Sequence, residues 1–489
     1  MYLKDLVKAL GISPYQIQPE DNFLISGITS NSKAVKRGFV FVAIKGTHQN
    51  GESFIEEAVS RGAKAIIVHS SWFMVHGMGN RVIIKVKDTR RALANLAAKF
   101  YNQPSKDIKV IGVTGTNGKT TITYLVEHIL SEAGFNPAVM GTVNYRFGGK
   151  VLPSYNTTPG PVELQSLLAQ MRDNKVDYLI MEVSSHALSQ SRTEGIKFNS
   201  AIFTNLTQDH LDYHKNFQDY FSCKAKLFKE LDPRSLAITN IDDPYGKKLL
   251  KLTKAKKITY GIKARADFKA EDIEFGFAHT NFKLVAPNKV LHIKSRLIGI
   301  HNVYNILAGA AFVSSRKIDF QVIEEALNNF RYVPGRLERV NSSNGFSVFV
   351  DYAHTEDALK NVICALRQIG PRRIIVVFGC GGDRDKTKRP KMGRVVSSLA
   401  DFSIITSDNP RSENPLSIIK DIRRGITKNN YSVIADRAEA IKKSLKIARK
   451  GDMVLIAGKG HENYQVFKDK TVVFDDKEVA KRCLKSTNY

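Results

Sequence analysis

The chain is 489 residues long, 43% hydrophobic and 25% charged, with a formal net charge of +27. It is too long for one core and has no run near the ~18 apolar residues of a membrane span, so two to four globular domains and no membrane span are expected. The basic excess is spread along the chain, +5 over residues 1–87, +10 over 88–333 and +12 over 334–489, which fits a lysine-rich solvated surface better than a nucleic-acid patch.

In chain order, "MYLKDLVKAL" reads as a short amphipathic helix rather than a secretory signal, and a cytoplasmic location is expected. The four cysteines, Cys223, Cys364, Cys380 and Cys483, form no C-x-x-C pair and suit a reducing compartment. "AKAIIVHS" (63–70) and "RVIIKV" (81–86) read as strands closing a first unit. "IKVIGVTG" (108–115) opens a second and runs into a helix with Ile122, Val126, Ile129 and Leu130 on one face and Gly134 as its stop. "DYLIMEVSS" (177–185) and "SAIFTNL" (200–206) read as buried strands with polar ends. A third unit begins near "RYVPGRLERV" (331–340) and alternates again through "FSVFVDYAHT", "RRIIVVFGCGGDRD", "DFSIITSDNP" and "DMVLIAGKGHE". Ser412, ahead of Pro415, reads as a helix cap. Strand–helix alternation over nearly the whole chain predicts α/β architecture with parallel sheets, whose sites lie at the strands' carboxyl ends.

The stretch "VIGVTGTNGKTT" (110–121) has the context of a phosphate cradle: a strand, Gly115-Thr116-Asn117-Gly118-Lys119-Thr120, then a helix. Glycines let backbone N–H groups turn inward, and the helix N-terminus adds partial positive charge. Lys119 is placed to reach terminal phosphates and Thr120 to hold Mg²⁺. The spelling departs from G-x-x-x-x-G-K-[ST], because Val113 stands where a glycine is usual. Glu182, and Asp209 and His210 in "TNLTQDHLDYH" (204–214), follow the next two strands and offer ligands for a Mg²⁺ beside ATP. Arg384 in "GCGGDRD" and Arg411 in "DNPR" lie just past strands, where a guanidinium suits a bidentate grip on carboxylate or phosphate.

"GTNGKTT", "MEVSSHAL", "TNLTQDHLDYH", "GIHNVYN", "PGRLE", "DYAHT", "GCGGDRD", "DNPR" and "GKGHE", in this order, resemble the Mur ligases of peptidoglycan synthesis, and the last three resemble the diaminopimelate-adding members. The resemblance implies three domains: an N-terminal UDP-binding α/β domain (1–87), a central P-loop ATPase with a mostly parallel sheet (88–333) and a C-terminal Rossmann-like domain (334–489). It implies ATP-dependent amide formation through an acyl phosphate and a tetrahedral intermediate, in a monomer acting on small molecules.

By the same resemblance, residues 115–121, including Thr121, hold the ATP phosphates, while Asn302, Asn305, Arg336 and Asp351 contact adenine and ribose. Thr120, Glu182 and His210 bind metal with Lys224, which falls where the family carries a CO₂-derived carbamate. Lys226 is two residues further along a helix and faces elsewhere. Ser32 contacts the UDP end, and Thr157, Thr158, Ser184, Gln190 and Arg192 hold the muramoyl dipeptide. Arg384, Asp408, Asn409, Pro410, Arg411, Gly458 and Glu462 hold diaminopimelate. Lys33 stands where the family usually has Arg, and Glu356 where it usually has Pro.

A lysine-adding member would be expected to lack Arg411, and a folate-type ligase to lack the N-terminal unit. A nucleic-acid-stimulated ATPase would need a basic patch interleaved with stacking aromatics, whereas the densest basic run, "KKLLKLTKAKK" (247–257), has none.

Overall fold

The computed structural model describes residues 1–13, 17–46, 49–71, 81–211 and 213–486. The chain forms two compact units, one built from residues 1–114, 135–201 and 226–236, the other from 115–134, 202–225 and 237–489.

In the first unit, four parallel strands stand in the order Gly27–Thr29, Phe39–Val42, Ala65–His69, Val82–Val86. Alternation along them splits the core. Val40, Val42, Ala65 and Ile67 pack with Leu3, Leu6, Leu93 and Leu96 on one face, and Phe41, Ala43, Ile66 and Val68 with Ile55 and Ala58 on the other. The N-terminal helix is shorter than its pattern implies: an α-turn over Leu3–Leu6 tightens into a 3₁₀ turn over Val7–Leu10 and ends at Gly11, φ 70°. The same unit holds the strand Lys109–Thr114, parallel to Tyr178–Glu182, which also pairs with Pro137–Met140. All three are strongly apolar, as strands covered on both faces must be.

In the second unit, the helix Lys119–Glu132 packs on the helix Ile300–Ser314. Gly134, at φ 81°, follows the first of these and acts as its stop. The strands Phe268–Phe275 and Lys289–Ser295 each pair antiparallel with Thr280–Ala286, a departure from the parallel pattern.

A six-stranded sheet then runs Glu338–Val340, Ser347–Asp351, Met453–Ala457, Ile374–Phe378, Phe402–Ile405, Tyr431–Val433, parallel except for the first strand. Val376, Phe378 and Leu455 face the helices Glu356–Gln368 and Lys388–Leu399, while Ile375, Val377, Val454 and Ile456 pack on the opposite side with Ile441 and Leu445. Each such fully buried aliphatic or aromatic side chain contributes roughly 1.5–3 kcal/mol. Both faces being covered leaves the strands' carboxyl ends as the open edge for a site. The cap of the helix Pro415–Arg423 is Asn414, whose side chain accepts from Leu416 N. Ser412, expected as that cap, bonds Asp383 instead, because Asn414 sits directly ahead of the helix and reaches its first N–H groups.

Candidate active site

The candidate phosphate loop requires its two glycines where they stand. Gly115 has φ 143°, and a Cβ there would run into Thr204 Oγ1. Gly118 has φ 90°, and a Cβ would run into Asn305 Oδ1. Both positions therefore demand glycine for conformation and for close approach. The loop is cross-braced from the following segment. Thr116 N donates to Asn205 O (2.9 Å), Asn117 N to Asn205 Oδ1 (3.0 Å), and Thr204 Oγ1 to Asn117 O (2.6 Å). Asn117 Nδ2 donates to Asp357 Oδ2 (2.8 Å), which also accepts from Thr207 Oγ1 (3.0 Å). Lys119 Nζ curls back onto Gly115 O (3.0 Å) and Thr116 O (2.8 Å). Thr120 and Thr121 are buried in the first helical turn, and Thr120 Oγ1 accepts from Arg336 Nη2 (3.1 Å).

Lys224 joins this loop. It lies on the helix Phe217–Lys229, is fully buried, donates to Gly115 O (2.9 Å) and sits 4.6 Å from the Tyr220 ring centroid. Tyr220 in turn meets Thr116 Oγ1 through its hydroxyl (3.1 Å). Burial, and then the neighbouring Lys119 ammonium, push the Lys224 amine well below the ordinary lysine range. Lys226 is exposed, as the helical period requires.

His210, at φ 54°, has Nε2 3.4 Å from Asp209 Oδ2. Burial works to raise the Asp209 carboxyl, but the charges of His210, His354 and Lys388 outweigh it and hold the group below the usual carboxylate range. Asp209 Oδ1 accepts from His210 N (2.9 Å). Among the nucleoside candidates, Asn302 and Asn305 are buried and bonded to each other (3.0 Å), and Arg336 lies 4.5 Å from the Tyr352 ring centroid. Asp351 accepts from Leu337 N (2.6 Å) and Ala353 N (2.7 Å), with its pKa raised by burial. A cavity of about 880 Å³, lined by Asn302, Arg336, Leu337, Tyr332 and Phe349 among others, opens beside them. Cavities of that size take a small molecule.

In the first unit, the dipeptide candidates gather around Glu182. Its carboxylate is buried and accepts from Thr142 N (2.9 Å) and Thr142 Oγ1 (3.0 Å), and that hydroxyl meets Thr157 Oγ1 (3.1 Å). Thr158 Oγ1 donates to Glu182 O (2.8 Å) and accepts from Ser184 N (3.1 Å). Ser184 caps a short helix through Ala187 N (3.2 Å). Arg192 clasps Gln190 Oε1 through Nε (3.0 Å) and Nη2 (2.7 Å) and reaches Thr158 O through Nη1 (3.0 Å). Ser32 lies apart from this group, buried and donating to Glu57 Oε2 (2.6 Å), while Lys33 is exposed.

The amino-acid candidates meet at the strand ends of the six-stranded sheet. Asn409 Nδ2 donates to Glu462 Oε2 (2.8 Å), and Gly458 N to Asp351 O (3.0 Å). Arg411, at φ 52°, donates from Nη1 to Gly382 O (2.7 Å) and from its backbone N to Val466 O (3.0 Å). Gly382 N donates to Asn409 O (2.9 Å), tying the two loops together, and Pro410 is buried between them. Arg384 is exposed, with Nη1 on Asp383 O (3.3 Å).

Sequence reasoning missed Lys459. It is completely buried and donates to Asn409 Oδ1 (3.0 Å) and Glu462 Oε2 (3.2 Å), with Asp408 Oδ1 at 3.9 Å. It stood in plain view inside "GKGHE". Thr142, Tyr220 and Asp357 were also missed, since each acts through partners distant in sequence. Left-handed backbone marks the same places. Of ten non-glycine residues with positive φ among the described residues, Ser191, His210, Leu337, Asp383 and Arg411 are site candidates or their immediate neighbours. Such conformations cost of order 1–3 kcal/mol and persist where surrounding structure enforces them.

Three family models match in order: "Mur ligase family, catalytic domain" over residues 24–101, "Mur ligase middle domain" over 113–313 and "Mur ligase, glutamate ligase domain" over 335–460. A Clostridium botulinum protein named UDP-N-acetylmuramoyl-L-alanyl-D-glutamate–2,6-diaminopimelate ligase is 44% identical, with 99% of this chain and 100% of that protein aligned. The chain belongs to the Mur ligase family. This Mur ligase has the three domains of that family in the expected order. A Bacillus velezensis protein of the same name is 43% identical over the full length of both chains. A solved structure of a diaminopimelate ligase of that name superposes with a TM-score of 0.70 at 31% identity, covering both chains completely. A Mycobacterium tuberculosis folylpolyglutamate synthase, 17% identical with a TM-score of 0.63, covers 76% of this Mur ligase and 92% of its own chain, a likeness of fold alone.

Proposed function

We propose that this Mur ligase joins meso-2,6-diaminopimelate to the D-Glu carboxylate of UDP-MurNAc-L-Ala-D-Glu at the expense of ATP. The observation that carries the reading is the Arg411 guanidinium, anchored through one N–H to Gly382 O beside the Asn409–Glu462–Lys459 network. A guanidinium has five N–H donors, so anchoring through one leaves others for a ligand carboxylate. The far end of diaminopimelate carries both an ammonium and a carboxylate. Glu462 and Asp408 supply negative charge for the first, and Arg411 with Arg384 the planar fork for the second. Lysine lacks that carboxylate and would bring an ammonium toward Arg411.

The substrate carboxylate attacks the γ-phosphorus of ATP, ADP leaves, and the resulting acyl phosphate is attacked by the amine. The tetrahedral intermediate collapses to the amide and expels phosphate, and the amine's proton passes to solvent. Residues 115–121 hold the phosphates through backbone N–H groups, and Lys119 exchanges its carbonyl partners for phosphate oxygens. Asn302, Asn305, Arg336 and Asp351 bind the nucleoside. Ser32 takes the UDP end, and Thr157, Thr158, Ser184, Gln190 and Arg192 orient the dipeptide.

A hydroxyl (Thr120), a carboxylate (Glu182) and an imidazole (His210) are suitable donors for Mg²⁺, and they would hold it together with Lys224. Bound there, Mg²⁺ supplies the positive charge that offsets repulsion between carboxylate and triphosphate. A lysine ammonium would not fit that role, but Lys224 is held towards its neutral amine. A neutral amine adds CO₂, forming an N–C bond, releasing one proton and becoming an anionic carbamate. We further propose domain limits of 1–87, 88–333 and 334–489, a monomeric state and a cytoplasmic location. Among the described residues no helix is long and apolar enough to cross a membrane.

Phosphate release is the test, with ATP, Mg²⁺, UDP-MurNAc-L-Ala-D-Glu and either diaminopimelate or lysine. Release with diaminopimelate alone is expected. Release with lysine at an equal rate would overturn the amino-acid assignment, and no release with either would overturn the reaction.

A further inference from the structure

Just after His210, three side chains converge that the ligase chemistry does not use. His214 Nδ1 lies 3.4 Å from Asp219 Oδ2 and 3.9 Å from Cys223 Sγ, and one ligand atom from each of the three falls within 4.8 Å of the others. Asp219 and Cys223 are one turn apart on the helix Phe217–Lys229, so they share a face, and His214 closes on them from the preceding segment. We propose that this trio is a binding site for a zinc-class divalent cation, distinct from the Mg²⁺ position.

The donor set decides the class of ion. A thiolate beside an imidazole and a carboxylate suits a borderline-soft cation, whereas a thiolate is a poor ligand for the hard Mg²⁺ ion. The spacing agrees as well. A tetrahedral ion with Zn–N and Zn–O near 2.0–2.1 Å and Zn–S near 2.3 Å sets its ligand atoms roughly 3.3–3.6 Å apart. The two pairs made by His214 therefore need only a few tenths of an ångström of movement, and the Asp219–Cys223 pair, which lies within 4.8 Å, closes as the Asp219 side chain turns inward. His214 and Cys223 are buried, but the Asp219 side chain is 42% exposed, which gives an entry path. Binding converts the Cys223 thiol to a thiolate, forms the S–metal bond and releases one proton to solvent.

The site has a structural consequence. The His214 ring packs 5.1 Å from that of Tyr220, whose hydroxyl meets Thr116 of the phosphate loop, and His214 N donates to His210 O (2.9 Å). A cation here pins the segment carrying His210 against the helix carrying Lys224. This inference stands whether or not the ligase reading does, because its readout is metal binding.

The test uses the full-length protein, treated with chelator and kept free of Mg²⁺, and titrated with Co²⁺. One equivalent is expected to bind, with ligand-field bands and a sulfur-to-cobalt charge-transfer band, both lost when Zn²⁺ displaces it. Cys223→Ser should abolish the charge-transfer band. Asp219→Asn, a half-exposed and fold-tolerant change, should weaken binding by about tenfold or more. A charge-transfer band that survives Cys223→Ser, undiminished affinity in Asp219→Asn, or binding only at millimolar metal would each overturn the proposal.

Discussion

The candidate phosphate loop and the candidate amino-acid pocket are built on different principles. At residues 115–121 the geometry is steric: Gly115 and Gly118 allow Thr204 and Asn305 to approach where a Cβ would collide, and the two lysines rest on backbone carbonyls. Around Asn409 the geometry is electrostatic, with the buried Lys459 cation drawing Asn409, Glu462 and Asp408 to fixed positions. A loop shaped by glycine accepts any triphosphate that fits its backbone. A pocket shaped by placed charges distinguishes ligands by where their own charges lie. On the proposed function, the general half of the reaction and the selective half are thus separated by the kind of force that shapes each.

Substitutions can break this contrast at either end. The largest effect is expected at the loop. Lys119→Ala should lower kcat by about a thousandfold or more, because a cation at the transferred phosphoryl group is lost, while thermal stability hardly changes. Full activity in that variant would mean the loop is not the phosphate site. Lys224 comes next. Activity in CO₂-depleted buffer should fall several-fold and recover with bicarbonate, whereas Lys224→Gln should be weak and indifferent to bicarbonate. Equal rates with and without CO₂ would rule out the carbamate. Third, Arg411→Ala should lose roughly 10²–10⁴-fold in kcat/KM for diaminopimelate while narrowing its advantage over lysine. A uniform loss for both amino acids would place Arg411 in the architecture rather than in selection.

The contrast also governs what could be read from sequence. The loop was legible because its requirements are local: strand, glycines, Lys-Thr and helix lie within "VIGVTGTNGKTT". Lys224 could be told from Lys226 because a helix turns about 100° per residue, and one is buried while the other is exposed. The electrostatic pocket was legible as motifs but not as a network, since Lys459 meets Asn409 across 50 positions. Thr142, which holds Glu182 from 40 positions away, carries no local mark at all. The antiparallel strands Thr280–Ala286 and Lys289–Ser295 do carry one: their burial alternates residue by residue and two residues, Pro287-Asn288, connect them. Period-two alternation around a two-residue turn is a hairpin signal, masked here by the strand–helix rhythm on either side of it.

The smallest effect is a pH dependence of stability that separates the two regions. His354, which feels Asp209 and Lys388, is held by burial at a pKa of about 4, below the ordinary 6.5. Its Nδ1 lies 2.8 Å from the Tyr352 carbonyl, which only accepts, so this nitrogen carries the proton. Between pH 6.5 and 4 the unfolded chain binds a proton at this residue that the folded chain refuses, so stability falls across that window and levels off below it. In the amino-acid half, Glu413 is lowered to about 2 by hydrogen bonds from Arg389, which outweigh the effect of burial. Its contribution is complete above pH 4.5 and is lost only as pH falls towards 2. His354→Gln should therefore flatten the stability curve between pH 6.5 and 4, leaving the lower window unchanged. Glu413→Gln should cost about 1–3 kcal/mol near neutral pH and flatten the lower window alone. Denaturant unfolding measured at half-unit steps from pH 7 to 3 would read both. If each variant altered the other's window, the two regions would be coupled and the contrast between them would not hold.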